Sequence, residues 1–235
     1  MIYEFPSLVT GEFVKRKNRF VAEVKVAGNK ELCHVPNSGR MKELLLEGSK
    51  VMLRHHPHTN RKTSYDLYLV QYEGFWVSID SRLPNKLVEH MVENSIFPKE
   101  SSISSNTSVI SKEPKYGSGR FDLKLTNKVN DIFVECKSVT LVEDGQALFP
   151  DAPTKRGKRH LFELVESVKE GYKALIIFLV QRDDAKFFSP NWEMDRDFSN
   201  ALVYAKDNGV KVESYSFRVT TEGLYYCNPL FVKLD

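Results

Sequence analysis

The chain is poor in cysteine and has no apolar run long enough to cross a bilayer. Its three cysteines, Cys33, Cys136 and Cys227, lie far apart and form no Cys-x-x-Cys motif. This pattern argues against a disulfide framework and a zinc site, and it favours reduced thiols in a cytoplasmic protein. Residues 1–13 lack a basic region followed by an apolar core, so we expect neither a secretory signal nor a membrane partner.

A large excess of one charge is also lacking. The formal net charge is +3 over 235 residues, and the 41% hydrophobic content is ordinary for a folded protein of one large or two small domains. The basic residues instead cluster near residues 15–19, 54–62 and 155–160. Clusters on a nearly neutral chain suit phosphate contacts, although each one alone is equally typical of a solvated surface. The predicted nucleic-acid-binding residues are Arg16, Lys17, Arg40, Arg54, Arg61, Lys62, Arg120, Lys155, Arg156, Lys158 and Arg159.

Residues 1–82 have the pattern of a small β-barrel. Strands are predicted at 12–16, 19–27, 31–35, 50–55, 65–72 and 75–79. A helix is predicted at 40–47, where Met41, Leu44 and Leu45 follow helical spacing. Strands interrupted by one helix in this order are typical of the OB-fold, which often binds oligonucleotides. Residues 37–39 either form an anion site at the helix N-terminus or simply cap the helix.

The loop at 56–63 carries His56 and His58 and follows His55 directly. Histidines so close together can hold a metal ion, but no carboxylate accompanies them in the local sequence. We therefore expect an exposed, weakly basic loop.

Residues 83–235 are predicted to form an α/β unit, a mixed sheet flanked by helices. Helices are predicted at 85–94, 156–172 and 195–208, and strands at 210–218 and 221–227. The polar segment around 107–113 is either a loop or an edge strand. The run ALIIFLV at 174–180 predicts a strand buried on both faces. Basic residues at the start of the second helix oppose the helix dipole, which indicates either a bound anion or neutralising acids such as Asp151.

A β-hairpin at 116–137 carries the candidate active site. Residues 121–126 and 132–137 alternate around a polar turn at 127–130, which pairs Asp122 with Glu135. Lys137 then shares their face, because alternate residues of a strand point to the same side. The opposite face would be apolar and is formed by Phe121, Leu123, Leu125, Ile132, Val134 and Cys136.

Directly opposed carboxylates repel each other and gain from a divalent cation between them. We therefore predict that Asp122 and Glu135 bind Mg²⁺ or Mn²⁺, and that Lys137 stabilises charge on a phosphate under attack by water. All three are predicted catalytic residues. The order of elements around them is that of the PD-(D/E)xK nuclease core. The third acidic ligand stays open among Glu89, Glu93 and Glu113.

Several segments point together to a known family. They are 34–41 (HVPNSGRM), 116–122 (YGSGRFD), 134–141 (VECKSVTL) and 149–161, which begins FPDAPTKRG. In these segments the chain resembles the sugar fermentation stimulation protein A family, with departures at Gly119 and Cys136. The resemblance implies an N-terminal OB-like domain, a C-terminal nuclease-like domain and DNA binding without strong sequence preference. A regulatory role in sugar metabolism, particularly of maltose, is attached to the family name.

Two functions remain open from the sequence. The first is a divalent-metal-dependent nuclease that cleaves phosphodiesters in DNA. The second is a non-catalytic DNA-binding regulatory protein that reuses a nuclease fold. A sugar-metabolising enzyme is disfavoured because no phosphate-cradling glycine loop or nucleophile triad is recognisable. The sequence leaves open the oligomeric state and whether the nucleic acid is DNA or RNA, single- or double-stranded.

Overall fold

A computed structural model describes residues 1–57 and 61–235, and contains nineteen strands and three helices within these ranges. The strands of the N-terminal part are β1 (Tyr3–Glu4), β2 (Val9–Asn18), β3 (Val21–Val26), β4 (Asn29–His34), β5 (Lys50–His55), β6 (Tyr65–Tyr72) and β7 (Phe75–Ser78).

Strands β2 to β6 form a closed five-stranded barrel. Antiparallel pairing follows the order β4-β3-β2-β5-β6, and parallel pairing of β4 with β6 closes the cylinder. Strand β7 extends β6 outside the closed ring. Fully enclosed apolar side chains fill the interior, among them Phe13, Val24, Cys33, Leu53 and Leu67. The prediction of an N-terminal OB-like barrel is thereby confirmed.

The helix predicted at 40–47 is wrong. Only one turn forms there, in which the amides of Leu44 and Leu45 both donate to the carbonyl of Met41. Met41 has a φ of 46°, a left-handed conformation that cannot begin a helix. Met41 and Leu44 are nevertheless buried in the barrel, so a single turn already satisfies the apolar spacing that predicted the helix. The helix N-terminus at which residues 37–39 were expected to form an anion site or a cap therefore does not form.

The remaining elements form the α/β unit. They are α1 (Leu83–Glu93), β8 (Ser108–Lys112), β9 (Lys115–Tyr116), β10 (Gly119–Arg120), β11 (Leu123–Thr126), β12 (Asp131–Val139), β13 (Leu141–Glu143), β14 (Gln146–Phe149), α2 (Lys155–Lys169), β15 (Lys173–Val180), β16 (Phe187–Pro190), α3 (Arg196–Asp207), β17 (Lys211–Val219), β18 (Gly223–Pro229) and β19 (Phe231–Val232). The three helices match the predicted positions to within a few residues. None of them is long and apolar enough to cross a bilayer.

A seven-stranded mixed sheet organises this unit in the order β1-β18-β17-β15-β12-β11-β8. Strand β15 is central and pairs in parallel with β12 and β17, which explains its continuous apolar sequence. Helix α1 packs on one face, whereas α2 and α3 pack on the other. This confirms the predicted mixed sheet flanked by helices. Strand β1 joins this sheet through β18, although residues 1–82 were predicted to lie in the barrel unit.

One apolar core spans the barrel and the α/β unit. Met52, Tyr68 and Leu69 of the barrel belong to the same buried cluster as Leu87 of α1 and Val134 of β12. A second link is the buried Arg182, whose guanidinium lies 5.2 Å from the ring centroid of Tyr72. These contacts hold the barrel against the sheet, and residues of both units line a cleft.

Candidate active site

The hairpin of β11 and β12 confirms most of the predicted register. Four pairs are present, from Thr126 with Asp131 to Leu123 with Val134. The ladder then ends, so the predicted direct pairing of Asp122 with Glu135 is wrong. In a continued ladder the amide of Cys136 would donate to the carbonyl of Phe121. It donates instead to Oδ2 of Asp122 at 2.7 Å, so a side chain takes the place of the next backbone partner.

The bend at Asp122 also changes the side on which Phe121 lies. Its ring packs 5.0 Å from Phe133 and 5.1 Å from Tyr116, in the core beneath α2. The other five residues of the predicted apolar face lie in the core beneath α1, as expected: Leu123, Leu125, Ile132, Val134 and Cys136. The prediction for Phe121 fails because strand alternation does not continue through the bend.

Asp122 is held from two elements. Its Oδ2 accepts from the amide of Cys136, and its Oδ1 accepts from the side chain of Asn85 on α1 at 2.8 Å. Burial raises the pKa of Asp122, and the negative charge of Glu135 raises it further. The two carboxylates therefore affect each other electrostatically although they are not paired in the ladder.

Glu135 is only 2% exposed. Its Oε1 contacts both Nζ of Lys137 and Nδ1 of His160. Burial acts to raise the pKa of Glu135, but Lys137 and His160 outweigh that effect and hold the pKa below its usual range. Its other oxygen, Oε2, is buried and has no hydrogen-bond partner among the described residues. Glu135 is thus an anion with one oxygen left unsatisfied.

A divalent cation fits this donor set. Buried anionic oxygens without a partner are costly, and hard oxygen ligands are those that Mg²⁺ and Mn²⁺ prefer. In residues 1–57 and 61–235, no group of three or more histidine, cysteine or acidic side chains is placed to hold a metal ion. Glu89 and Glu113 line the cleft but are paired with Lys112 and Arg120, so the third acidic ligand stays undetermined.

The cleft has a volume of about 1510 Å³ and is lined by Asp122, Glu135 and Lys137 together with many cations. Four of the predicted nucleic-acid-binding residues lie in it: Arg16, Arg40, Lys155 and Arg156. Five further basic residues line it without having been predicted: Arg19, Lys42, Arg82, Lys86 and Lys112. The acidic pair is therefore embedded in a basic surface.

Arg16 has a structural task in this cleft. Its guanidinium donates to the carbonyls of Asn37, Gly39 and Arg40 at 2.8, 2.6 and 2.9 Å. Burial lowers its pKa. Much of its donor capacity is used to shape the wall of the cleft.

Other predicted contact residues lie outside the cleft. Arg120, Lys158 and Arg159 border two smaller adjacent pockets near the start of α2. The remaining four predicted nucleic-acid-binding residues do not line the cleft: Lys17, Arg54, Arg61 and Lys62. Among the described salt bridges, Asp151 pairs with none of the cations at the start of α2, and its Oδ2 accepts from the amide of Met41. Another acid does pair there, since Lys158 lies 2.8 Å from Asp197.

The histidine loop is described only in part, since residues 58–60 lie outside the described ranges. His56 places its Nε2 3.2 Å from Oδ2 of Asp66. The local sequence lacks a carboxylate, but β6 brings Asp66 to this loop. Asp66 is bound mainly by cations, among them Arg61.

His160 and Asn85 contact the acidic pair and were not predicted to belong to the site. Arg156 and His160 are four residues apart, and this spacing places both on one face of α2. The spacing was visible in the sequence. That this face meets Glu135, 25 positions away, follows only from the packing of α2 on the sheet.

Comparison with known proteins agrees with this architecture. Residues 14–79 match the SfsA N-terminal OB domain, and residues 82–223 match the sugar fermentation stimulation protein RE domain. A sugar fermentation stimulation protein homolog of Natranaerobius thermophilus is 58% identical over 98% of this chain and 96% of its own. A homolog of Alkaliphilus metalliredigens is 45% identical over 94% of each chain.

A solved structure shares the whole fold. The SfsA of Pyrococcus furiosus, solved in complex with Ca²⁺, superposes with a TM-score of 0.90 at 28% identity, and the match covers 98% of this chain and 97% of that one. Both family domains, the extended sequence identity and this shared fold agree with one another. The chain therefore belongs to the sugar fermentation stimulation protein family.

Proposed function

We propose that this protein binds DNA without strong sequence preference and cleaves its phosphodiesters with a divalent metal ion, Mg²⁺ or Mn²⁺. The observation that carries the proposal is Oε2 of Glu135, which is buried without a hydrogen-bond partner among the described residues; Glu135 and Asp122 both line a basic cleft. An anionic oxygen kept charged and unsatisfied favours a cation as its partner. The Ca²⁺ in the structure of the Pyrococcus furiosus relative supports divalent binding in this family.

Asp122 and Glu135 would hold the ion, which when bound would polarise the phosphodiester and activate water. Asn85 and the amide of Cys136 orient Asp122. Lys137 contacts Glu135, and its positive charge favours the extra negative charge that develops on a phosphate during attack. The chain thus supplies orientation and positive charge around the reacting group.

The cleft supplies the binding surface. Arg40, Lys155 and Arg156 line it beside the acidic pair, and phosphate contacts of this kind carry no sequence information. The OB barrel forms part of its wall through residues near Arg16 and Asn37. Both units therefore contribute residues to the proposed backbone-binding cleft.

The test is cleavage of single- and double-stranded DNA by purified protein with Mg²⁺ or Mn²⁺. Wild type should cleave, and Glu135→Gln and Lys137→Met should each reduce the rate at least about 100-fold, as expected for groups that act on the transition state. The control is Glu222→Gln, an exposed acid in a turn of the sheet. Cleavage that persists in both site variants would place the activity elsewhere. DNA binding without cleavage by wild type would favour the non-catalytic, regulatory alternative.

A further inference from the structure

A chain of three side chains leads from the cleft wall to the acidic site. Nε of Arg156 lies 3.3 Å from Nε2 of His160. The other ring nitrogen of His160, Nδ1, contacts Oε1 of Glu135. His160 is 1% exposed, so both of its ring nitrogens find their partners within the protein.

The donors and acceptors in this chain fix the proton on the histidine. A guanidinium has only donors and stays charged, so Nε of Arg156 must donate to Nε2 of His160. Nε2 is then an acceptor and carries no proton. Nδ1 is then the ring nitrogen that carries a proton, and it donates to Glu135. Arg156 therefore selects the ring form that can hold the carboxylate.

The hydrogen bond from His160 also affects how the carboxylate of Glu135 is oriented. Its Oε1 is occupied by His160 and Lys137, which leaves Oε2 as the oxygen free for a ligand. Lys137 reaches the carboxylate on a flexible stem, whereas the imidazole is a rigid ring on a long helix buried against the sheet. His160 is accordingly the contact that determines which way the carboxylate faces.

Arg156 also belongs to the binding surface. It lines the main cleft and the neighbouring pocket of about 440 Å³ that Arg120 and Arg159 border. Its hydrogen bond to His160 uses Nε, which leaves the two terminal nitrogens of the guanidinium as donors for phosphate. The same arginine thus contacts both the region of the nucleic-acid backbone and the group that holds Glu135.

We propose that His160 is a positioning residue that turns Oε2 of Glu135 toward a divalent ion, and that Arg156 fixes His160 in the form required. This inference rests on the proposed function, because it assigns an orienting role within the same site. Partners that orient a metal ligand in this way typically contribute about 10- to 100-fold in metal affinity.

Two substitutions of His160, by Asn and by Gln, test its hydrogen bonds to Glu135 and to Arg156 separately. In His160→Asn the side-chain amide nitrogen can replace Nδ1 and still donate to Glu135. In His160→Gln the longer amide reaches the position of Nε2, toward Arg156, and the donor to Glu135 is lost. Calorimetric titration with Mn²⁺ and with Ca²⁺ should show His160→Asn close to wild type. His160→Gln and His160→Ala should bind about 10- to 100-fold more weakly.

Thermal melting of each variant shows whether it is folded. Independently, ¹⁵N NMR of the imidazole shows which ring nitrogen of His160 carries the proton. Wild type should show His160 protonated at Nδ1, and Arg156→Met should abolish the preference for that form. Equal metal affinity in all three folded His160 variants, or a proton on Nε2 in wild type, overturns the inference and leaves the proposed function standing. Absence of metal binding by wild type overturns both.

Discussion

Asp122 accepts a hydrogen bond from the backbone amide of Cys136 at 2.7 Å, immediately past the last pair of the β11–β12 ladder. The bond fixes a carboxylate where the two strands separate, and Asn85 holds its other oxygen. Beyond this point no strand of the described ranges pairs with the edge of β12 that faces β11, and Glu135 and Lys137 line the cleft. The separation of the strands thereby creates the site.

Asp122→Asn should stabilise the metal-free protein near neutral pH. Burial and the charge of Glu135 raise the pKa of Asp122 in the folded state, so this carboxyl favours folding while protonated and loses that contribution as pH rises through its folded pKa. In EDTA the variant should melt a few degrees above wild type at pH 7, since 1 kcal/mol is about 2–4 °C for a chain of this size. The difference in melting temperature between variant and wild type should shrink as the pH is lowered toward about 4, the ordinary pKa of aspartate. A lower melting temperature for the variant at pH 7 would contradict this account.

Removing charge at the start of α2 should weaken DNA binding for every sequence alike. Lys155 and Arg156 both line the cleft, and each phosphate contact contributes about 0.9 to the slope of log K against log salt. The double variant Lys155→Ala, Arg156→Ala should therefore reduce the slope by up to about 2 in fluorescence-anisotropy titrations. Its matched control is Lys173→Ala, Lys211→Ala, two exposed lysines at the starts of β15 and β17. An equal loss in the control would show that net charge, rather than the cleft, governs binding.

Asp66 should stabilise the barrel where β4 meets β6. It is 3% exposed, and Oδ1 lies 3.3 Å from Nδ1 of His34 and also contacts Arg61. Burial acts to raise its pKa, but the hydrogen bond and charge of Arg61, with His56 and His34, outweigh it and lower the pKa. Asp66→Asn should cost about 1–3 kcal/mol in urea unfolding at pH 7, as for a buried polar group that loses its charged partners.

The cost of Asp66→Asn should fall as the solution is acidified. A carboxyl with a depressed folded pKa adds stability above its unfolded pKa, about 4, and loses it as pH falls through the folded value. Glu12→Gln is the control, because Glu12 is exposed in the same barrel and should change stability by less than about 0.5 kcal/mol. A cost for Asp66→Asn that does not vary between pH 7 and acid would show that packing, and not charge, is responsible.

The features that the sequence predicted correctly are those that depend on residues close together along the chain. The apolar run of β15 and the capped helix α3 both form at their predicted positions. The end of the hairpin ladder was missed because the carboxylate of Asp122 competes with a backbone acceptor, and alternation does not reveal that competition. The helix at 40–47 was wrong because burial of Met41 in the barrel overrides helical propensity. The contact of His160 with Glu135 depends on tertiary packing and has no local signature.

The barrel and the α/β unit should unfold in one transition. Their shared core joins Tyr68 and Leu69 of the barrel to Leu87 of α1, so loss of either unit would expose apolar surface of the other. The chain has two tryptophans: Trp76 on β7 of the barrel, which packs against the shared core, and Trp192 after β16 in the α/β unit. In the single-tryptophan variants Trp76→Phe and Trp192→Phe, fluorescence should give coincident urea midpoints.

The substitution Leu53→Ala tests more directly whether the two units unfold together. Leu53 is fully buried in the core that belongs to the barrel alone, and its truncation should cost about 2–5 kcal/mol. If the shared core couples the units, this barrel substitution must lower the midpoint reported by Trp192 as much as that reported by Trp76. Leu164→Ala, in the core beneath α2, should do the same from the other side. A Trp192 transition that stays at its original midpoint in Leu53→Ala would mean that the α/β unit holds its fold without the barrel, and that the cleft between them can open by loss of the barrel alone.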